Sequence, residues 1–109
     1  MIKTTDFCVI YVTAVSYDAA KNISKILVSE KLAACCSVIS NITSTFGWEG
    51  AIQQRNEFLI IIKTKKDKFD SVKNRVMEMH SDEVPEIISV PLDNGLDSYL
   101  DWMNTAVSE

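Results

Sequence analysis

The 109-residue sequence predicts a single α+β domain with a ferredoxin-like split βαβ fold, a long central hairpin and a C-terminal helix. Two apolar runs without alternation, Phe7–Val12 and Phe58–Ile62, indicate central strands. Two segments with apolar residues every three or four positions indicate amphipathic helices between strands. The resulting order is β-α-β-β-α-β, for which right-handed crossovers place strands one and three in the centre and both helices on one face.

The first half of the chain alternates clearly between strand and helix patterns. Phe7–Ala14 is rich in β-branched and aromatic residues and predicts a buried strand. Ser16 is a good N-cap for a helix over about Tyr17–Glu30. Ala34–Thr45 returns to strand character. The predicted helix has an apolar face formed by Ala20, Ile23 and Leu27, with Ala19 and Ile26 beside it.

The middle of the sequence predicts a hairpin and a second helix. Glu49 and Gly50 supply turn chemistry, and Ile52–Thr64 predicts the returning strand. Asp67 is the predicted N-cap of the second helix, which ends before Pro85 because the residue before a proline avoids helical geometry. The apolar positions of this helix are Phe69, Val72, Val76 and Met79.

The last elements are short. Glu86–Val90 predicts a strand that Pro91 ends, and Asn94-Gly95 predicts a turn. Leu96–Val107 then predicts a terminal helix. The two arms of the middle hairpin exceed the usual strand length of about five or six residues, so the hairpin is expected to project beyond the fourth strand.

The composition narrows the classes of partner. Fifteen acidic residues outnumber eleven basic ones, giving a net charge of -4, which argues against nucleic acid and anionic membranes as partners. The apolar run at Phe7–Val12 is too short to cross a bilayer. We therefore expect a cytoplasmic protein.

Three cysteines, Cys8, Cys35 and Cys36, form neither a C-x-x-C motif nor an even set. We interpret them as small buried hydrophobic residues. Adjacent residues of a strand point to opposite faces, so Cys35 and Cys36 are not expected to share a metal ion. With strand three between strands one and two, Cys8 is expected to lie roughly 10 Å from either, beyond disulfide reach.

The central strand has apolar side chains on both sides, although the helices of this fold cover only one face of the sheet. Cys8, Ile10 and Val12 lie on one side of it and Tyr11 on the other. The second face is therefore expected to meet a partner subunit, because a bare patch of that size is rare on a monomer.

Four segments resemble conserved blocks of a known family. "KLAACCSVISNITSTFGWEGAI", "FLIIIKT", "HSDEVPEI" and "SYLDW" occur in the family order, and together the chain resembles the CutA family of divalent-cation tolerance proteins from about Phe7 to Trp102. The resemblance implies a tight homotrimer with long hairpins that embrace neighbouring subunits. It places Tyr11, Phe46 and Trp48 at the trimer interface.

Some members of that family bind copper through a cysteine late in the first strand and two histidines that end the second helix. Only His80 matches one of these histidines, while Met79 and Val12 stand at the other two positions. The resemblance implies that copper or another divalent ion is bound, with His80, Met79 and Glu83, or Asp82, as candidate ligands. The alternative is that His80 only ends a helix, interacting with its macrodipole.

A cleft between protomers is the second candidate site. Trp48, Glu49, Lys63 and Glu86 are its candidate lining residues, because they belong to family blocks near the hairpin and His80. The family is similar to the PII signalling trimers, which bind small molecules in such clefts. The alternative is that the three charged residues only form surface or interface salt bridges.

The sequence does not predict an enzyme. With one histidine, no set of nucleophile, base and orienting residue is visible. An acylphosphatase-like enzyme would need a phosphate-binding loop with an arginine after strand one, whereas Thr13–Ser16 contains neither arginine nor glycine. An RNA-binding sheet would need a [KR]-G-[FY]-[GA]-F pattern where "EFLIIIKT" stands, and a copper chaperone of this fold would need C-x-x-C. A metal-response trimer without catalysis is the leading hypothesis, and a PII-like signalling or scaffold trimer that binds a small molecule or a protein is the alternative.

Overall fold

Four strands and three helices make up the chain in the computed structural model, which describes residues 2–108. In chain order these are β1 (Phe7–Ala14), α1 (Tyr17–Ser29), β2 (Cys35–Trp48), β3 (Ala51–Lys65), α2 (Phe69–Met79), β4 (Ile87–Pro91) and α3 (Asp97–Ala106). Short 3-10 turns precede β1 at Thr4–Asp6 and α2 at Lys66–Lys68.

The strands form one antiparallel sheet in the order β2-β3-β1-β4. β1 pairs with β3 from Phe7 opposite Lys65 to Ala14 opposite Phe58, and with β4 from Cys8 opposite Pro91 to Val12 opposite Ile87. The predicted ferredoxin-like arrangement, with strands one and three in the centre, is confirmed.

The main core lies between the sheet and helices α1 and α2. Helix residues at intervals of three and four meet β1 and β3 residues at intervals of two, because each set lies on one face of its element. All are at most 2% exposed: Ile10 and Val12 of β1, Ile60 and Ile62 of β3, Ala20, Ile23 and Leu27 of α1, and Val72 and Val76 of α2.

Helix α3 covers one end of the opposite sheet face. Its Leu100 and Met103, with Val107, bury Phe7 in a second, smaller core. Phe7 is the first residue of β1, so α3 reaches only that end of the strand.

The hairpin formed by β2 and β3 extends well past the sheet. Residues 51–57 of β3 pair only with β2, since β1 pairs with β3 no further than Phe58. At about 3.3 Å per residue, this arm is roughly 23 Å long. At its tip Glu49 and Gly50 have φ angles of 50° and 80°, as a two-residue type I′ turn requires. The predicted projection is confirmed, and β2 runs to Trp48, beyond the predicted Thr45.

Two predicted helix starts had different outcomes. The Ser16 side chain accepts a hydrogen bond from the Ala19 N–H at 3.1 Å, which confirms it as the N-cap of α1. Asp67 is not the cap of α2: it lies inside the 3-10 turn, and the cap position is Lys68, without a side-chain cap bond. The 3-10 turn delays the start of the α-helix by one residue and so displaces the predicted cap.

The fourth strand was predicted to end at Val90, before Pro91. In the structure, Pro91 is the last residue of β4. β4 is an edge strand, where a missing N–H need not cost a ladder hydrogen bond.

The three cysteines are free thiols; Cys8 is buried as predicted, whereas Cys35 and Cys36 are only partly buried. Cys36 packs against the core on the helix side, while Cys35 lies opposite Lys63 on the other face. Burial raises the pKa of Cys36 to about 12 and also raises the pKa of Cys8. Both are therefore neutral thiols near pH 7.

Lys31 follows α1 in a left-handed conformation that favours glycine. Its φ is 59°, its N–H donates to the Val28 carbonyl at 3.1 Å, and the Leu32 N–H donates to the Leu27 carbonyl at 2.9 Å. This is a Schellman motif, in which a side chain at the left-handed position costs free energy.

We predict that Lys31→Gly raises the free energy of unfolding by roughly 0.5–1 kcal/mol, because glycine adopts this conformation without steric cost. Lys31→Ala is the matched control: it removes the same charge and keeps a Cβ, so its gain should be much smaller. Urea unfolding of the three proteins measures the difference. Equal gains for Gly and Ala would attribute the effect to the lysine charge.

Candidate functional site

One face of the sheet carries apolar side chains that helices α1 and α2 do not cover. We call it the open sheet face. Register places its residues side by side on all four strands: Val9, Tyr11, Ile39, Leu59, Ile61, Ile88 and Val90. Ile39, Ile88 and Val90 are 46%, 54% and 46% exposed, and Tyr11 is half-buried. This is the face that the sequence predicts to contact a partner subunit.

Lys63 lies within the open sheet face. Its Nζ donates a hydrogen bond to Ser37 Oγ at 2.9 Å and lies 3.6 Å from Cys35 Sγ. The structure therefore places Lys63 in the middle of the sheet, away from the hairpin tip.

A cleft of about 850 Å³ separates the projecting hairpin arm from residues 81–86, the segment that joins α2 to β4. We call it the hairpin cleft. Of the four residues predicted to line a ligand cleft, Trp48 and Glu86 are present, whereas Glu49 and Lys63 are not among its lining residues. Glu49 is exposed in the turn at the hairpin tip.

Arg55 is the centre of the hairpin cleft. Its Nη2 donates to Glu57 Oε2 and to Asp82 Oδ2, both at 2.7 Å, and its Nη1 donates to Asp82 Oδ1 at 3.3 Å. The guanidinium also lies 5.6 Å from the ring centroid of Phe46. The bonds to Asp82, and then those to Glu57, raise the pKa of Arg55. The Glu57 side chain is only 4% exposed, so Arg55 supplies the counter-charge for a buried carboxylate.

Local structure explains how these residues meet. Arg55 and Glu57 are two positions apart on β3 and so share a face of the hairpin arm. Asp82 lies on the opposite wall of the cleft. It reaches this position because α2 ends at Met79 and the chain then crosses the end of β1. Sequence reasoning missed Arg55 and Glu57. Their spacing on a strand was the available signal, but it does not identify Asp82 as the partner.

His80 holds the turn that positions Asp82. Its Nε2–H donates to the Thr13 carbonyl, with 2.6 Å between the two atoms, and its Nδ1 accepts the Asp82 N–H at 3.0 Å. With Nδ1 accepting one hydrogen bond and Nε2 donating the other, the ring orientation is fixed from both sides. Both ring nitrogens are therefore occupied by backbone groups, and His80 ties the end of α2 to β1.

The candidate metal ligands do not form a ready coordination site within one protomer. Met79 packs against the core, His80 makes the two bonds just described, and Glu83 is exposed on the cleft wall. Within residues 2–108, no three His, Cys, Asp or Glu side chains are placed to share an ion. The donor set therefore does not fit a closed metal site.

The aromatic residues of the hairpin arm differ in exposure. Phe46 is half-buried against Arg55, whereas Trp48 is 45% exposed near the tip. Both lie on the same face of the hairpin as Arg55, because Phe46 pairs with Gln53 and Trp48 with Ala51.

A family model, the CutA1 divalent ion tolerance protein, matches residues 8–106. The chain belongs to the CutA family. The divalent-cation tolerance protein CutA of Archaeoglobus fulgidus is 43% identical over 98 residues, covering 90% of this chain and 95% of that protein. The chloroplastic protein CutA of Arabidopsis thaliana is 38% identical over 95% of this chain, which spans 57% of the plant protein.

Solved CutA structures share the fold of the whole chain. The structure of CutA1 from Oryza sativa matches with a TM-score of 0.93 at 37% identity, covering 98% of this chain and 99% of that one. The structure described as the periplasmic CutA of Archaeoglobus fulgidus matches with a TM-score of 0.92 at 41% identity, covering 94% and 99%. The family name denotes divalent-cation tolerance and not an enzymatic reaction.

Across residues 2–108 of this CutA-family chain, every helix is too short or too polar to span a membrane.

We predict that Arg55→Met lowers the free energy of unfolding by about 2–3 kcal/mol, because it leaves the Glu57 carboxylate buried without a counter-charge. The effect should be somewhat below that for a fully buried pair because the Arg55 side chain is 37% exposed. Urea unfolding at pH 7 provides the measurement.

Two further variants test whether the loss of stability comes from the buried carboxylate. Arg55→Met/Glu57→Gln should recover part of the loss, since glutamine is neutral. Arg75→Met breaks an exposed pair with Glu30 and should cost clearly less. Equal losses for Arg55→Met and Arg75→Met would contradict a structural role for the Arg55 network.

Proposed function

We propose that this CutA-family protein acts in divalent-cation tolerance as a cytoplasmic homotrimer that binds and does not catalyse. The open sheet face is the observation that carries the proposal. It presents apolar side chains on all four strands, and three of its isoleucine and valine residues are close to half exposed. An antiparallel sheet whose second face is apolar requires a cover.

The projecting hairpin supports assembly by extending the same surface. Two-stranded hairpins are marginally stable alone in water, yet this arm ends in the exposed residues Trp48 and Ile52, the latter 82% exposed. A neighbouring subunit that covers the open sheet face can also bury Tyr11 and these tip residues. The family resemblance implies that the number of subunits is three.

A reducing compartment suits the cysteines. All three are free thiols, and the strand order keeps Cys8 apart from the adjacent pair. Disulfides persist mainly in oxidising compartments. The free thiols thus support the proposed cytoplasmic location.

A binding role suits the single histidine. His80 is engaged with the Thr13 carbonyl and the Asp82 N–H, so a catalytic proton transfer through its ring would first have to break these bonds. Burial raises the pKa of the Cys36 thiol to about 12, which makes it a poor nucleophile.

Metal binding is the part of the proposal that concerns His80, Met79 and Glu83. A divalent ion such as copper would have to displace Asp82 N–H from His80 Nδ1, and Met79 packs in the core. These residues therefore suit a weakly held ion.

A second candidate function is the binding of a small molecule in the hairpin cleft, as in PII-like signalling trimers. The cleft favours this function because its volume is in the range of small-molecule sites, about 300–1,000 Å³, and because Arg55 fixes its walls to each other. The comparison with signalling trimers rests on similarity of fold.

The assembly proposal predicts opposite results for two substitutions of the same kind. Ile88→Asp puts a charge on the open sheet face, and the trimer should dissociate to monomers. Val28→Asp adds a charge at a residue of similar exposure, 42%, on helix α1, and the trimer should persist. Light scattering across a dilution series measures both. A trimer that survives Ile88→Asp would refute assembly through this face.

Removing the tryptophan at the hairpin tip tests the contribution of the arm. Trp48→Ala should move dissociation of the trimer to higher protein concentration, because the tip loses buried apolar area. Tyr17→Ala, at an exposed aromatic on α1, is the control. If the trimers of both variants dissociate at the same protein concentration, the tip takes no part in assembly.

The metal proposal predicts weak binding that depends on His80. Calorimetric titration of Cu(II) and Zn(II) into metal-free protein should give dissociation constants above about 1 μM. This corresponds to a binding free energy weaker than roughly -8 kcal/mol. His80→Ala and Glu83→Gln should each weaken binding further. Equal heat from wild type and His80→Ala would remove His80 from the ligand set and leave it with its structural role.

A further inference from the structure

We propose that Asn94 is a site of spontaneous modification, at which the side-chain amide is lost and aspartate or isoaspartate forms. The inference goes beyond the proposed function and does not rest on assembly. Asn94 and Gly95 form the only Asn-Gly pair in the sequence. They lie in the loop between β4 and α3, which begins beside Phe7, where Leu92 N–H donates to the Phe7 carbonyl at 3.2 Å. This is the end of the sheet opposite the projecting hairpin, which leaves the sheet beyond Phe58.

The reaction requires only the protein and water. The backbone nitrogen of Gly95 attacks the side-chain carbonyl carbon of Asn94, Cγ. The new N–Cγ bond closes a succinimide ring, and Nδ2 leaves as ammonia with the proton from the Gly95 N–H. Water then opens the ring. Cleavage of the N–Cγ bond gives aspartate, whereas cleavage of the bond from the nitrogen to the main-chain carbonyl carbon gives isoaspartate, in which the main chain runs through Cβ and Cγ.

The structure of the loop favours this attack. Asn94 and Gly95 are both exposed, and residues 92–96 belong to no helix or strand. Across the described residues, 2–108, the Gly95 N–H donates no hydrogen bond, so its nitrogen is not held by another group. Glycine also adopts a wide range of backbone conformations and has no Cβ to obstruct the approach to Cγ. The Asn94 amide donates only a long bond, 3.3 Å, to Asp93 Oδ2.

The position of Gly95 connects the modification to helix α3. A Cβ built on Gly95 would lie 3.1 Å from Leu100 Cδ2, so its backbone passes close to that side chain. Leu100 is 4% exposed and packs with Phe7 in the smaller core. The next residue, Leu96, begins α3, and its carbonyl accepts the Leu100 N–H at 3.0 Å. An additional main-chain atom before Gly95 therefore displaces the start of α3 relative to the residues that cover Phe7.

The two products differ in this respect. Both add one negative charge to a chain whose net charge is -4, and a carboxylate near the N-terminus of α3 is favourable for the helix dipole. Only isoaspartate lengthens the main chain. Isoaspartate at position 94, and not aspartate, therefore weakens the packing of α3 on the sheet.

Ageing of the full-length protein at physiological temperature and pH tests the site. Peptide mass spectrometry follows loss of the amide, and electron-based fragmentation distinguishes isoaspartate from aspartate. Asn41 is the internal control, because it is also exposed but is followed by the β-branched Ile42. Asn94 should lose its amide at least tenfold faster than Asn41, with isoaspartate among the products. Equal rates, or aspartate without isoaspartate, would overturn the proposal.

Asn94→Gln is the matched variant. It keeps the amide at the same exposed position, but the additional methylene enlarges the ring that must close and slows the attack. Ion-exchange chromatography of the folded protein should show the acidic species forming at least tenfold more slowly than in the wild type. An unchanged rate would assign the new charge to another residue and contradict the role of Asn94.

Urea unfolding tests the effect on α3. The isoaspartyl form, purified from aged protein, is compared with Asn94→Asp, which has the same charge and an ordinary main chain. The isoaspartyl form should unfold at a lower urea concentration than Asn94→Asp, whereas Asn94→Asp should match the wild type closely. Equal midpoints for the isoaspartyl form and Asn94→Asp would show that the longer main chain does not disturb α3.

Discussion

The structure depends on one imbalance: β1 has apolar side chains on both sides, but helices α1 and α2 cover only one of them. Ile10 and Val12 are fully buried beneath α1 and α2, whereas Tyr11 on the other side is only half-buried. Helix α3 covers the Phe7 end of that side and no more. The neighbours β3 and β4 carry the same apolar character onto this face, so the fold of one chain leaves an apolar surface uncovered.

Arg55 converts a projecting hairpin into one wall of a cleft. Residues 51–57 pair only with β2, so without Arg55 strand pairing would be the main constraint on their orientation relative to the sheet. The bonds from Arg55 to Asp82 connect the arm to the segment that follows α2, and His80 connects that segment to β1. Three polar side chains thus fix the geometry of a region that has little apolar core of its own.

The sequence predicts the fold better than the site because the fold rests on periodic patterns and the site on contacts between distant residues. The runs at Phe7–Val12 and Phe58–Ile62 identify the central strands, since burial on both faces removes polar alternation. The position of Asp67 misled because a 3-10 turn is not visible in an N-cap pattern. The family resemblance assigned Trp48 and Glu86 to a cleft between protomers, and both also line the hairpin cleft of the single chain. The pairing of Arg55 with Asp82, 27 residues away, needs the three-dimensional path of α2 and its following turn.

The two-residue turn and the bare arm have a consequence for how the chain acquires its final shape. Beyond Phe58 towards the tip, both edges of the two-stranded arm lack a neighbouring strand within residues 2–108. Such an edge exposes unpaired peptide groups that another strand can join. In the proposed assembly, a neighbouring subunit would cover these edges and hold the arm in place. Folding and association would then be steps of a single process, and the concentration of protein would help to set how much of each molecule is ordered.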